Sequence, residues 1–252
     1  MASKDSKCLS KCCFLEWTRL EKQSLSELQQ VLSPSPPDDD TELTRLVHKE
    51  VKQFENYVDR RRQLSKADVA CFYAPTWCTP WENSLLWIAG CRPSSFIRLV
   101  YALSGLELEA KLEEFLKVGG GGSDVKLGDL SAKQMVLVDG LQRRTIKEEE
   151  KLTAKLAGLQ EDVADQPIAA IAKKLSQVGE MCGELDKALE EHERAMVTAL
   201  EEADVLRLNT VKEILEILTP VQAIDFLATS KKLHLSVHEW SKKRDQCCHG
   251  PW

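Results

Sequence analysis

Apolar residues in this chain recur at intervals of three and four, and no stretch alternates strictly one-in-two. Spacing by threes and fours gathers side chains on one face of a helix, whereas a half-buried strand needs period two. The sequence therefore predicts an all-α chain with no sheet. Breakers agree, because 12 Gly and 9 Pro in 252 residues is a low share. Helix starts are marked as well. Thr79-Pro80-Trp81-Glu82 and Ser131-Ala132-Lys133-Gln134 each set a hydroxyl three places before Glu or Gln, the pattern of a capping box, and Thr219-Pro220-Val221-Gln222 repeats it.

The stripes give an order of elements. Residues 1–10 read as a loose tail, and Phe14, Trp17, Leu20, Leu25, Leu28 and Leu32 predict a first helix. Residues 33–40 form a breaker-rich loop, and a second helix runs from about Glu42 to Gln63 along Leu43, Leu46, Val47, Val51, Phe54 and Val58. After the cap at Thr79 a helix is expected to about Ala89, ended by Gly90, with another starting at Arg92-Pro93-Ser94-Ser95. Gly119 to Gly122 read as a flexible linker; the run follows no strand and lacks phosphate-loop spacing. Met135, Val138, Leu141, Leu152, Leu156, Leu159 and Val163 line a long helix that Pro167 breaks. Ile171, Leu175, Val178, Cys182, Leu185, Leu189, His192 and Met196 then form a heptad-like seam. An antiparallel hairpin with the preceding helix satisfies that seam, and so does a parallel zipper with a second copy; the Pro167 break favours the hairpin. Val205, Leu208, Val211, Leu215 and Leu218 predict a penultimate helix, and Phe226, Leu233, Val237 and Trp240 a last one to about Lys243. The expected architecture is one bundle of about eight helices over residues 11–246, with long antiparallel hairpins, a loop at 119–128 between halves and a tail over 247–252.

Charge and motifs narrow the chemistry. A formal net charge of −6 argues against a chain that holds nucleic acid by bulk charge. The longest apolar run, Leu85 to Ala89, is far short of a membrane span, and the N-terminus has no apolar core of signal-peptide length. A cytosolic or nuclear protein with mostly reduced thiols is expected, and its nine cysteines contain no Cys-x2-Cys knuckle. No catalytic motif stands out, so the chain does not read as an enzyme. Trp77, Trp81 and Trp87 read as a packed aromatic cluster, with a binding groove as the alternative. Arg60-Arg61-Arg62, Lys231-Lys232 and Lys242-Lys243-Arg244 read as solvated helix faces, and neither basic stretch continues into a zipper as a DNA-reading helix would. His234 and His238 stand one turn apart on one helix face. They can hold one metal in cis, but they cannot approach one haem from opposite sides. The alternative is a partly buried face whose histidines bond locally.

Several stretches resemble the plant delay-of-germination (DOG) domain family, whose domain also forms the C-terminal half of TGA-type bZIP transcription factors. They are Phe14-Leu15-Glu16-Trp17, His48 with Tyr57, Asp68-Val69, the run from Pro75 to Glu82, Leu86-Trp87-Ile88-Ala89-Gly90-Cys91-Arg92-Pro93-Ser94, Ala203-Asp204-Val205-Leu206-Arg207 and Ile217 to Ala223. The chain lacks the basic region and zipper of the TGA factors, so it is similar to a stand-alone DOG protein, and direct DNA binding is not expected. The resemblance implies a non-enzymatic regulator of seed dormancy, germination or maturation, nuclear or cytoplasmic, linked to abscisic-acid signalling. It implies type 2C protein phosphatases as partners, with bZIP factors as the alternative and self-association as a further state. It also implies haem as a cofactor, with His234 and His238 as the matching pair. One of them would sit on iron, with the other supporting it or serving a second haem. The helix carrying Phe14, Trp17 and Leu20 is a candidate docking face, with burial in the core as the alternative.

Overall fold

A computed structural model describes residues 4–32, 40–105, 130–177, 179 and 182–248. The loop at 33–39, the linker at 119–128, Val178 and the tail beyond 248 lie outside the described residues. The helices are α1 (Lys4–Leu32), α2 (Asp40–Ser65), α3 (Ala70–Tyr73), α4 (Pro80–Ser84), α5 (94–105), α6 (Ala132–Asp162), α7 (Ile168–Lys174), α8 (Gly183–Ile217) and α9 (Pro220–Cys248). Among the described residues there is no strand, and the single bridge, Trp87 with Gly90, closes a turn. The all-α expectation holds.

Three antiparallel pairings organise the chain. Ser24 on α1 bonds Gln53 on α2, and Trp17 stacks on Tyr57. Arg144 and Lys155 on α6 meet Glu213 and Glu202 on α8, a falling register that makes an antiparallel hairpin, through residues beyond the seam from which one was expected. Phe14 and Glu21 on α1 meet His238 and His234 on α9. Helix α9 therefore lies against both α1 and α2, and α5 threads the middle. The main core joins Leu28, Leu43, Ile97, Val138, Ile214 and Phe226 from six helices. All three expected capping boxes form. The hydroxyls of Thr79, Ser131 and Thr219 accept from the backbone N–H three residues on, and Glu82, Gln134 and Gln222 reach back to the cap N–H.

Five expectations change. Helix α1 starts at Lys4, inside the expected tail, because Ser6, Ser10 and Cys13 are buried at helical spacing without raising the apolar signal. Helix α4 stops at Ser84 rather than near Ala89, for reasons found in the turn that follows it. The heptad-like seam does not run through one helix: α7 ends at Lys174, Gly179 takes φ +86°, and α8 begins only at Gly183. That helix then absorbs the expected penultimate one, since Ala199, Leu200 and Ala203 bury fully and nothing from Met196 to Val205 breaks a helix. On α9 the buried face carries Lys231, Leu235, His238 and Ser241, while Leu233 and Trp240 are exposed. Of the expected stripe Phe226 is buried and Val237 half-buried, so apolarity misplaced the later turns of the helix, where polar partners from other helices make a polar face burial-competent.

Candidate functional site

The segment after α4 is a closed turn. Trp87 N–H donates to Gly90 O at 2.8 Å, Gly90 N–H donates to Trp87 O at 3.2 Å, and Ile88 and Ala89 between them take φ of 43° and 59°. Left-handed backbone at a β-branched residue costs about 1–3 kcal/mol and persists only where surroundings impose it. Two arginines impose it here. Arg207 on α8 donates to Trp87 O, Ile88 O and Cys91 O at 2.5, 2.9 and 2.7 Å. Arg61 on α2 donates to Ala89 O at 2.8 Å. Asp204 accepts from both guanidiniums at 2.6 and 2.9 Å, so one buried carboxylate anchors the clamp. Just beyond the turn, Glu149 on α6 accepts from Ser94 N–H and Oγ at 2.6 and 3.0 Å and from Arg92 Nε at 2.8 Å, capping α5 from another helix. The sequence from Leu86 to Ser94 is thus a turn built to be held by α2, α6 and α8.

A second set of polar contacts runs along α9. Lys231, His234 and His238 share one face, and each meets a carboxylate from a different helix. Lys231 Nζ lies 2.8 Å from Glu50 Oε2 of α2, with both side chains buried. His234 Nδ1 is 2.6 Å from Glu21 Oε2 of α1, and His238 Nδ1 is 2.6 Å from Glu82 Oε1 of α4. Glu82 also accepts the Thr79 N–H at 2.8 Å, so the capping box of α4 and the anchoring of α9 share one carboxylate. Burial works against charge on His234, but the Glu21 hydrogen bond and charge outweigh it and hold the imidazolium above its ordinary pKa. Burial likewise raises Glu82, and the Thr79 N–H together with His238 more than compensates, leaving the carboxyl below its usual range.

The two histidines are not equivalent. His238 is 2% exposed, packs edge-on against Phe14 and does not border the central cavity. The His234 side chain is 41% exposed and borders a cavity of about 410 Å³ among α1, α2, α5, α8, α9 and the turn. Carboxylates on both Nδ1 atoms leave the Nε2 atoms as the available ligand atoms, an arrangement common to ligating histidines. The residues therefore fit one histidine ligand to a haem at the cavity mouth, His234, and do not fit two. Among the described residues no three His, Cys, Asp or Glu side chains converge to hold a metal ion. The three tryptophans do not form one cluster either. Trp77 packs between Phe14 and Phe72, Trp81 meets Trp240 at the surface, and Trp87 bonds Thr153 on α6. Phe14 and Trp17 line the cavity, so α1 turns its aromatic face inward and leaves Leu9, Cys12 and Leu15 exposed.

Comparison with known proteins places this architecture. The family model described as DOG1, seed dormancy control, matches residues 24–102, from α1 through the clamped turn into α5. The chain is 38% identical over 246 residues to Protein DOG1-like 3 of Arabidopsis thaliana, covering 94% of this chain and 86% of that protein. It is 30% identical over 184 residues to Protein RESPONSE TO ABA AND SALT 1 of the same plant, covering 72% of this chain and 70% of that one. Identity to Transcription factor TGAL6 of Oryza sativa subsp. japonica is 26% over 211 residues, 83% of this chain but 47% of that protein. The class these matches define is one that aligns over most of a DOG1-like protein and, at lower identity, over about half of a transcription factor. The chain belongs to the DOG1-like family of seed dormancy control proteins.

Proposed function

We propose that this protein is a non-enzymatic regulator of seed dormancy, germination or maturation that acts by binding other proteins. Its partners are type 2C protein phosphatases of abscisic-acid-linked signalling, met in the nucleus and cytoplasm. The observation that carries the reading is the 38% identity to a DOG1-like protein across 94% of the chain. The name of a second relative, RESPONSE TO ABA AND SALT 1, supports the link to abscisic acid. The surface that suits such contact is the outer face of α1. Leu9 and Leu15 are 56% and 47% exposed, with the exposed Cys12 between them and the Glu16–Arg19 ion pair alongside, a small apolar patch with a charged rim.

Haem belongs to the same proposal. His234 would hold it, Glu21 would keep that imidazole oriented, and the His238–Glu82 contact would fix α4 against α9 behind it. Bound haem would supply an iron centre responsive to redox state and to small diatomic ligands. A second reading, a transcriptional regulator working with DNA-bound bZIP factors, is favoured by the similarity that spans 83% of this chain in TGAL6.

Calorimetry of the purified chain against type 2C phosphatases and against TGA-type bZIP factors separates the readings. Micromolar or tighter binding to a phosphatase, weakened tenfold or more by Leu15→Asp at unchanged thermal stability, is the expected result. Binding to bZIP factors alone would overturn the phosphatase reading. A visible-absorption titration with haemin should give a saturable 1:1 Soret shift that His234→Ala abolishes. His238→Ala should only weaken it; equal loss in both would contradict ligation by His234 alone.

A further inference from the structure

The central cavity is larger than a folding core requires. At about 410 Å³ it would hold about 14 water molecules at their liquid volume of ~30 Å³ each. Its walls are mostly aromatic and aliphatic, with Trp17, Phe54, Phe72, Trp77 and Phe226 among them. Water in such a space finds few partners, and an empty space forfeits the dispersion contacts of every wall atom. The rim adds a way in, because Leu85 and Leu233 border the cavity and are both more than half exposed.

The polar groups of the wall decide what could occupy it. Among the described residues every charged side chain bordering the cavity is already paired: Lys231 with Glu50, Arg61 and Arg207 with Asp204, His234 with Glu21, and Glu82 with His238. The guanidiniums are also committed to the turn carbonyls. No cation is left for a carboxylate or phosphate, and no carboxylate for an amine; an ionised ligand would enter without a counter-charge. Two buried wall atoms have no hydrogen-bond partner: Glu50 Oε2, which is ion-paired with Lys231 at 2.8 Å, and Ser10 Oγ, which has no ionic partner either. Ser10 borders the cavity, is 1% exposed, and its Oγ has no hydrogen-bond partner. A buried hydroxyl without a partner is costly, and a ligand that supplies one removes that cost.

We propose that the cavity is a binding site for an uncharged, largely apolar small molecule with a body of about a dozen or more heavy atoms and one hydroxyl or carbonyl that bonds Ser10. His234 borders this same cavity, but occupancy by such a molecule requires no iron and does not depend on the haem reading.

The neutral fluorophore N-phenyl-1-naphthylamine tests this on the full chain. Saturable 1:1 fluorescence enhancement is expected, displaced by 1-dodecanol at least tenfold more effectively than by dodecanoate or dodecylamine at neutral pH. Ser10→Ala should weaken dodecanol about fivefold while leaving the circular dichroism spectrum unchanged. Val51→Phe, which adds bulk to the wall from α2, should abolish both; Leu99→Phe serves the same purpose from α5 if that variant does not fold. The titrations are made without haemin, so saturable fluorophore binding stands whether or not the haem titration succeeds. Non-saturating enhancement, enhancement that survives both wall-filling variants, or preferential displacement by dodecanoate would each overturn the proposal.

Discussion

A methyl group added at Gly90 would stand 2.7 Å from Arg207 Cζ and 3.0 Å from its Nε and Nη2. No left-handed backbone is involved at this glycine, so the whole effect of Gly90→Ala comes from that contact. Ordinary van der Waals contact begins at 3.4 Å, so the guanidinium must retreat by about 0.7 Å. It is not free to do so, being 3% exposed and bonded to three turn carbonyls and Asp204. Retreat pulls it off Trp87 O and Ile88 O, now at 2.5 and 2.9 Å, and releases the strained turn. Losing two charge-assisted bonds should lower stability by about 3–5 kcal/mol. With an m-value of about 3 kcal/mol/M, the urea midpoint followed by circular dichroism should fall by roughly 1 M or more. Gly158→Ala is the matched control: it lies within α6 with nothing within 4 Å, and should raise stability by about 0.5–1 kcal/mol. If Gly90→Ala stays within about 0.5 kcal/mol of wild type, the clamp does not hold the turn in the way described.

Other consequences follow from the same contacts. Glu149→Ala should cost about 2 kcal/mol by leaving the Ser94 N–H without its acceptor, and hydrogen exchange at the start of α5 should quicken while the centre of α6 stays protected. Lys231→Met should cost about 3–5 kcal/mol by stranding the buried Glu50 carboxylate, and most of that loss should return in Glu50→Gln/Lys231→Met, as read by thermal unfolding. The His234 pKa is raised by folding, so the Glu21 pair contributes fully below the unfolded value of 6.5 and fades as pH rises through the folded value. The melting temperature of wild type relative to His234→Gln should therefore be higher near pH 6 than near pH 8, and a difference constant with pH would contradict the pairing.

The helices and their caps were legible because they depend on residues near one another in sequence. The hydroxyls at 79, 131 and 219 and their partners three residues on need no knowledge of the rest of the chain. The site was legible only in outline. His234 and His238 stand out by spacing, but their partners Glu21 and Glu82 lie more than 150 residues away, and the burial of His238 against Phe14 that sets the two apart comes from α1. The buried cations were hidden inside apparent surface patches. Arg61 sits beside the exposed Arg60 and Lys231 beside the exposed Lys232, and only the distant carboxylates Asp204 and Glu50 draw them inward. The run from Leu86 to Ser94 carries the family signature, yet its local pattern suggested a helix ended by Gly90. Its real conformation is imposed by arginines from α2 and α8, which no local signal reveals.

The measurement that bears most directly on the proposed function is the turnover rate of a purified type 2C phosphatase on a phosphopeptide as this chain is titrated in. A saturable fall in rate, shifted to at least tenfold higher concentration by Leu15→Asp and unaffected by Val136→Ala at an exposed position on α6, is the predicted result. An unchanged rate at concentrations where the chain is folded and in large excess would contradict it.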